Sequence, residues 1–374
     1  MKLTVSRKSL LNSLGLSTRF TTLKAQLPIL GNVLLEGKNN KLNVSATNLE
    51  MSVSDSIAAK IEEEGRITVP SKAFYEVVSN LTSENVDLNS EKEQLTIKCA
   101  GFSSRVMGID ATDFPLVPMS VGSASIKIKG GVLASSLPSV IYAISSDETR
   151  PTLTGVLITF SDKLLTLVAT DGYRLSKYLI PSGFKVSDFK FILPKGILSE
   201  LARVNKEDEV QLEYKKEDKQ VVFQIGSTFL SSRVIEGEFP NYEKIIPSKE
   251  MLKLNVDRGD LLQSVKLASV FARDASNVIK FMVSEKTLRF LSESSQLGSQ
   301  ENTIDAKIEA NDSGVFGDSG EFIIAFNCKY VEDFLNSCDG DSIEIKFNDP
   351  NSPGVFTDPK EVNLLHLIMP VRLQ

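Results

Sequence analysis

Val5-Ser6-Arg7-Lys8-Ser9-Leu10-Leu11-Asn12-Ser13-Leu14 returns far downstream as Val256-Asp257-Arg258-Gly259-Asp260-Leu261-Leu262-Gln263-Ser264-Val265. Val, Arg, the Leu pair and Ser recur in register. A fainter copy lies midway, with Ile128, Leu133, Ser136 and Leu137 at the places of Val5, Leu10, Ser13 and Leu14. Self-similarity at a fixed spacing is a statement about architecture, so it is read first. The outer copies start 251 residues apart (256 − 5), a period of about 125, too long for a solenoid unit and right for a whole repeated domain.

A second landmark repeats with the first. Ile67-Thr68-Val69-Pro70 leads into Phe74, Val77, Val78 and Leu81, whose i, i+3, i+4, i+7 spacing marks one helical face, with Ser71 as the expected N-cap. Phe191-Ile192-Leu193-Pro194 leads likewise into Leu198, Leu201 and Ala202. Phe322-Ile323-Ile324-Ala325 leads into Val331, Phe334, Leu335 and Cys338. Cys338 falls on the apolar stripe, which predicts burial rather than reactivity. Short alternating runs with turn residues fill the intervals, such as 34–53 around Lys38-Asn39-Asn40-Lys41 and 156–169 around Ser161-Asp162-Lys163. Each third therefore reads strand, helix, several strands, strand, helix, several strands. The expectation is an α+β chain of three repeated domains, each with two helices on antiparallel sheet. Loop-like Gly122-Ser123 and Pro247-Ser248-Lys249 set the domains at 1–122, 123–249 and 250–374.

Composition bounds the function. Hydrophobic residues at 41% and charged residues at 24% exclude global disorder. No apolar run is long enough to span a bilayer, and Met1-Lys2-Leu3-Thr4-Val5 lacks the apolar core of a signal peptide. Cys99, Cys328 and Cys338 are few and widely spaced, as expected of reduced thiols in a cytoplasmic protein. The net charge of −6 argues mildly against tight, non-specific nucleic-acid binding, which usually shows as a basic excess, but does not exclude DNA, since a protein can be acidic outside and basic along one inner surface. The polar faces of the predicted helices carry Arg7, Lys8, Lys72, Lys195, Arg203, Arg258, Lys266 and Lys329. These form either a solvated surface or a basic wall facing phosphates.

Catalytic patterns fail one by one. The single histidine, His366, sits in the apolar run Leu364 to Met369, where a structural role is expected. Cys328 and Cys338 have no CxxC partner for zinc. The Gly31 to Gly37-Lys38 stretch has one residue too many for a phosphate loop, and Asn39 replaces the required Ser or Thr. The acidic clusters Glu62-Glu63-Glu64 and Glu207-Asp208-Glu209 read as solvated turns. Nothing assembles a nucleophile, a base and an oxyanion site, so neither enzyme chemistry nor a cofactor or metal is expected.

Four further segments are distinctive together: Leu27-Pro28-Ile29-Leu30-Gly31-Asn32, Ala169-Thr170-Asp171-Gly172-Tyr173-Arg174-Leu175, Glu238-Phe239-Pro240-Asn241-Tyr242 closed by Pro247, and the terminal Leu367-Ile368-Met369-Pro370-Val371-Arg372-Leu373-Gln374. In this order and spacing they resemble the β subunit of bacterial DNA polymerase III, the β sliding clamp family, from Met1 to Leu373. The resemblance implies pseudo-twofold β-α-β-β-β units. It implies two chains closing head-to-tail into a homodimeric ring of six clamp domains around double-stranded DNA, held topologically without reading bases. The implied partners are the polymerase III catalytic subunit, clamp-loader subunits and other proteins with a clamp-binding motif; no membrane is involved. A ring that tethers its partners is a processivity factor in DNA replication.

The resemblance also implies a peptide-docking pocket with walls from Arg150, Leu153, Thr170, Gly172, Tyr173, Arg174 and Leu175, from Pro240, Lys244 and Ile245, and from Pro353 and Leu367, Ile368, Met369, Pro370, Val371 and Arg372. Such a groove would capture apolar anchors of a short linear motif. Core packing is the alternative for Leu153, Leu175 and Ile368. Lys24 and Lys72 match DNA-facing places, joined by Arg7, Lys195, Arg203 and Lys266; Val106, Val270 and Phe271 match the dimer contact. The chain departs from the pattern at Pro151 and Thr152, where relatives can carry DNA-touching aromatics, and at Tyr173 and Lys244, where histidine and arginine are better known. A scaffold or enzyme that has borrowed the same domain is the competing reading, and it lacks a candidate site.

Overall fold

The computed structural model describes the chain except residues 23–26, 124, 182, 185–186, 312–313, 317–319 and 373–374. Lys24 therefore lies outside the described residues. The helices are α1 (Arg7–Ser17), α2 (Ser71–Asn80), α3 (Gly130–Ser136), α4 (Pro138–Ile141), α5 (Lys195–Leu201), α6 (Arg258–Ala272) and α7 (Cys328–Ser337). Each third follows strand, helix, three strands, twice over. In the first third these are Lys2–Ser6, α1, Asn32–Lys38, Lys41–Thr47 and Met51–Glu63, then Gly65–Pro70, α2, Asn85–Glu91, Gln94–Cys99 and Phe102–Met107. The last third adds one short strand, Lys307–Ala310, to the pattern. The middle third departs at its first helix, which is split into α3 and α4 by Pro138; proline at a helix start fits its fixed φ and missing N–H.

The apolar stripes face the core as their spacing requires. Leu10, Leu14, Phe74 and Val78 are fully buried in the first third, as are Leu261, Val265, Val331, Phe334 and Leu335 in the last. Helix packs on helix in each third: α1 on α2, α4 on α5, α6 on α7. Each buried Leu or Phe contributes about 1.5–3 kcal/mol, which is what holds helices this short. Cys338 is buried on its stripe, and burial pushes its thiol up to about 12. Ser71 begins α2 but does not cap it. Pro70 takes the N-cap place, and the buried Ser71 hydroxyl makes no capping bond.

The repeated Arg has a structural task that its charge concealed. The backbone N–H at each helix start donates to one carbonyl in the loop after the second helix: Arg7 to Glu84 at 2.8 Å, Gly130 to Asp208 at 2.7 Å, Arg258 to Asp341 at 2.9 Å. The Arg7 guanidinium then donates to the Leu81 carbonyl at the end of α2, 2.9 Å. The Arg258 guanidinium donates to Leu335 and Gly340 carbonyls at the end of α7, 3.2 and 2.7 Å. Both satisfy carbonyls that a helix end leaves unpaired, with a charge suited to the helix dipole.

The chain folds as two compact units, Met1–Leu133 with Val204–Val234, and Ala134–Arg203 with Ile235–Gln374. The middle third is thus divided between them. In the first unit a sheet runs from Phe102–Met107 through Lys2–Ser6 and Met51–Glu63, and on through Thr228–Arg233 to Ile126–Lys129. The step between repeats is the antiparallel pair Met51–Glu63 with Thr228–Arg233, in register from Thr228 opposite Asp55 to Ser232 opposite Met51. In the second unit the step is Arg174–Pro181 with Leu364–Ile368, in register from Arg174 opposite Ile368 to Tyr178 opposite Leu364. A separate four-stranded sheet ends on Gly298–Asp305.

Candidate peptide groove and helix faces

The residues that the resemblance assigns to a docking groove all fall within the second unit. Its first wall is the turn Thr170 to Arg174. The Asp171 carboxylate accepts the backbone N–H groups of Tyr173 and Arg174 at 2.9 and 3.0 Å, and the Thr170 hydroxyl donates to the Arg174 carbonyl at 2.6 Å. Gly172 sits at φ +94°, a backbone region that L side chains avoid, and a Cβ there would lie 2.9 Å from Arg150 Nη1. Arg150 is anchored by Asp147, Nε to Oδ2 2.9 Å. The Thr-Asp-Gly-Tyr-Arg motif is therefore a turn built so that one guanidinium can lie against bare backbone.

Arg174 joins this turn to its surroundings. It donates to Asp171 at 3.0 Å, to Asp333 on α7 at 2.5 Å and to the Tyr142 carbonyl at 2.6 Å. Its guanidinium carbon lies 4.6 Å from the Tyr330 ring centre, within cation–π range. Because the Arg174 guanidinium is nearly enclosed, removing its carboxylate partners would leave a buried charge uncompensated, which is costly whatever the net worth of the pairs. Asp333, Tyr142 and Tyr330 were not singled out from the sequence, and Asp171 only as part of its motif; the joining of α7 to the turn is a long-range contact with no local signature.

The terminal segment is a second wall, pinned rather than frayed. Met369 N–H donates to the Tyr173 carbonyl and Val371 N–H to the Ala325 carbonyl, both 2.8 Å. The preceding strand is paired on both sides, with Ile368 opposite both Arg174 and Gly354. Below lies an apolar cluster of Leu157, Val168, Leu175, Ile192 and Leu367, bordered by Phe239, Tyr242, Ile246 and Val355. Leu175 and Ile368 are fully enclosed and Leu153 nearly so. In the chain as it stands these three are core, so exposed groove surface comes from other residues. Tyr173 is 61% exposed and Ile245 42% exposed. Arg150, Gly172, Pro240, Lys244 and Arg372 are exposed, Pro353, Met369, Pro370 and Val371 half-buried, and Thr170 buried.

A cleft of about 360 Å³ opens between the 242–249 segment and the terminal segment. Lys244, Ile245, Pro353 and Met369, which the resemblance assigns to a docking pocket, line it. Ile246, Pro247, Ser248, Lys249, Asn348 and Ser352 line it too and were missed. Pro247-Ser248-Lys249 reads as a linker from its composition, and a linker gives no sign of serving as a wall.

His366 lies under the groove and is enclosed. It stacks on Phe334 with ring centres 5.1 Å apart and planes 6° apart, and its Nδ1 is 3.2 Å from the Tyr142 hydroxyl. Burial, with the Arg174 charge nearby, pushes its pKa down to about 3, so it is neutral near pH 7.

On the helix faces Lys8, Lys72, Lys195, Arg203, Lys266 and Lys329 are exposed, while Arg7 and Arg258 are half-buried in the caps described above. Arg203 also pairs with Glu200 at 2.8 Å. On the edge strand Phe102–Met107, Val106 is half-buried; on α6, Val270 is 44% exposed and Phe271 half-buried. Leu262 and Leu267 line an apolar hollow of about 330 Å³ on the same helix. Among the described residues no cluster of His, Cys, Asp and Glu suited to a metal occurs, and no helix is long and apolar enough to cross a membrane.

Comparison with known proteins agrees from end to end. Residues 1–118, 127–241 and 243–372 match the N-terminal, central and C-terminal domains of the DNA polymerase III beta subunit. A beta sliding clamp from Synechocystis sp. is 31% identical over 400 residues, covering all of both chains. One from Staphylococcus aureus is 26% identical, covering all of this chain and 99% of the relative. The crystal structure of the DNA polymerase III beta subunit of Thermotoga maritima covers both chains fully with a TM-score of 0.91 at 27% identity. The sliding clamp of Bacillus subtilis shares the fold with a TM-score of 0.93 at 24% identity. The chain belongs, along its whole length, to the DNA polymerase III β subunit family, the β sliding clamps.

Proposed function

We propose that two copies of this chain close head-to-tail into a ring of six clamp domains around double-stranded DNA, and that the ring tethers polymerase and other replication proteins through the groove. It does so without catalysis and without a cofactor, in the cytoplasm. The observation that carries the reading is the rule of strand addition between repeats. At both steps within the chain, the last strand of a repeat's second half pairs with the last strand of the preceding repeat's first half: Thr228–Arg233 with Met51–Glu63, and Leu364–Ile368 with Arg174–Pro181. Among the strands that close a half-repeat, two are left without such a partner among the described residues, Phe102–Met107 and Gly298–Asp305, each at the end of its sheet. An open strand edge invites pairing, and these edges are the two that a second copy would complete. Exposed Phe102, Met107 and Leu297 and the partly exposed Val106, Val270 and Phe271 supply apolar surface for that seam. We place the boundaries of the three domains near residues 122 and 249.

The exposed Lys72, Lys195, Arg203 and Lys266, with Lys8 and Lys329, give the helices a diffuse positive face suited to phosphates rather than bases. Arg7 contributes less, since part of its guanidinium is committed to α2. Such a surface slides, because no contact depends on sequence.

Sizing at micromolar concentration should give twice the mass of 41.1 kDa. The assembly should stay on circular DNA and run off linear DNA. A monomer, or equal retention on both, would overturn the ring. Phe271→Ala should weaken the dimer by a few kcal/mol, the usual cost of truncating an aromatic anchor. Removing residues 369–374 should lower affinity for an apolar-anchored peptide roughly thirtyfold while the dimer persists.

A further inference from the structure

We infer that the first unit carries a separate protein-contact surface around Leu49 and Arg233, built on the same backbone frame as the groove but with its chemistry inverted, and that it takes an acidic amphipathic segment of a partner protein. The frame recurs bond for bond. The Asn48 side-chain oxygen accepts the backbone N–H groups of Glu50 and Met51 at 3.1 and 2.8 Å, as the Asp171 carboxylate accepts those of Tyr173 and Arg174. The Thr47 hydroxyl donates to the Met51 carbonyl at 3.0 Å, as Thr170 does to Arg174. Leu49 stands at φ +76° where Gly172 stands at +94°. The Arg233 N–H donates to the Glu50 carbonyl at 2.8 Å, as Met369 does to Tyr173. The connecting segment recurs too: Ile109 N–H donates to the Thr68 carbonyl as Ile235 does to Ile192, and Asp113-Phe114-Pro115 answers Glu238-Phe239-Pro240.

The side chains on this frame are exchanged. Under the groove Leu175 lies opposite Leu367; at the same places Ser52 lies opposite Ser231, both buried, with their hydroxyls 2.6 Å apart. That floor holds no apolar anchor. The rim is apolar instead. Leu49 is 50% exposed where Gly172 is bare, and the exposed Leu116 and Met119 follow Pro115 where Asn241 and Lys244 follow Pro240. Leu49 is costly twice, since a leucine at positive φ is strained and an exposed one gains nothing from the core. Strain and exposed apolar side chains gathered on one frame mark a contact surface. Arg233 takes the place of Met369, gives one N–H to the Leu49 carbonyl at 3.3 Å and is exposed. Gln220 lies opposite both Arg233 and Lys215, so the 215–219 hairpin borders the same strand end. Against Glu217 and Asp218 in that hairpin and Glu50 in the turn, Lys215, Lys216, Lys219 and Arg233 leave this end cationic in a chain of net charge −6. Leucine and methionine beside cations suit apolar side chains flanked by carboxylates, and they offer no aromatic platform on which nucleic-acid bases could stack.

The test uses the full-length chain with the groove saturated by an unlabelled apolar-anchored peptide. The probe is a fluorescent helical peptide with Leu at i, i+3, i+4 and i+7 and Glu on its flanks; a copy with Gln for Glu and an oligo-dT strand of similar length are the comparisons. By anisotropy at low salt the Glu probe should bind about fivefold tighter than the Gln copy, the scale of one or two partly screened ion pairs, and the gap should narrow with salt. Leu49→Gly should weaken the probe about fivefold, the loss of one apolar contact. Its melting temperature should hold, because glycine accepts positive φ freely, so weaker binding cannot come from misfolding. Failure of the probe to bind, or equal binding by Leu49→Gly and the unaltered chain, overturns the surface. Equal affinity for the Glu and Gln peptides overturns the acidic partner. Displacement of the probe by the groove peptide assigns it to the groove and overturns this inference while leaving the groove reading intact. Binding of oligo-dT in place of the peptide overturns the protein partner.

Discussion

The first and third repeats start their leading helix with an arginine, the middle one with a glycine, and all three make the same backbone hydrogen bond there. Arg7 and Arg258 spend their guanidinium groups on the end of the companion helix. Gly130 lets the 205–208 loop close directly onto the chain, where a Cβ would stand 2.3 Å from the Asn205 carbonyl oxygen. The middle copy does without the staple, and its helix breaks at Pro138. The second piece is then held against the strand that follows the Thr170 to Arg174 turn: the Ser139 carbonyl accepts the Ser176 hydroxyl and the Tyr142 carbonyl accepts Arg174. The comparison separates two uses of one frame. Where the repeat is strongest in sequence it holds the fold; where it is faint its helix is broken and packs beneath the proposed groove.

The most severe way to test this is to force the outer pattern on the middle copy. Gly130→Arg should destabilise the chain by about 3 kcal/mol, since the side chain must displace backbone rather than a flexible tip. A urea midpoint as high as that of the unaltered chain would mean the three helix starts are interchangeable. Removing the staple from the third repeat comes next. Arg258→Met leaves two carbonyls at the end of α7 without their charged donor and should cost about 2 kcal/mol, read by thermal melting.

The groove side of the comparison is open to pH. His366 has its pKa depressed in the folded chain, so protonation favours the unfolded one. Its contribution is complete above pH 6.5 and is lost progressively as pH falls toward about 3. The loss should reach roughly 2 kcal/mol at pH 5. His366→Gln should flatten stability between pH 7 and pH 5, and an unchanged slope would assign the acid sensitivity elsewhere. Arg7→Met should give the smallest effect, about 1 kcal/mol, because one carbonyl rather than two depends on it. A larger loss than in Arg258→Met would invert the ranking of the two staples.

Much of this fold was open to reading from the sequence, and for a definite reason. A repeat of amphipathic helices writes its core as apolar spacing, so Leu10, Phe74, Leu261 and Phe334 declared themselves. Charge was the poorer guide. Arg7 and Arg258 looked like the same solvated face as Lys72, because nothing local distinguishes a guanidinium that reaches a carbonyl across 74 or 82 residues. Leu175 and Ile368 looked like groove surface by resemblance and are enclosed, since strand pairing on both sides decides which side chains stay open. The proposed groove was legible in sequence where its residues form a turn with its own hydrogen bonds, at Thr170 to Arg174. It was not legible where distant segments meet, as at Lys249, Asn348 and Asp333.

The strand-addition rule bears on how the proposed ring would admit DNA. Two kinds of seam with similar pairing would hold it, yet they differ in tethering. At Thr228–Arg233 with Met51–Glu63 the covalent chain keeps both strands close, so a seam that parts finds its partner again at high effective concentration. The seam of Phe102–Met107 with Gly298–Asp305 of the second copy would have no such leash on its own side. A ring of this kind has its gate located by connectivity alone: it would open at the seams between copies even if every seam were equally strong, and dilution would loosen only those.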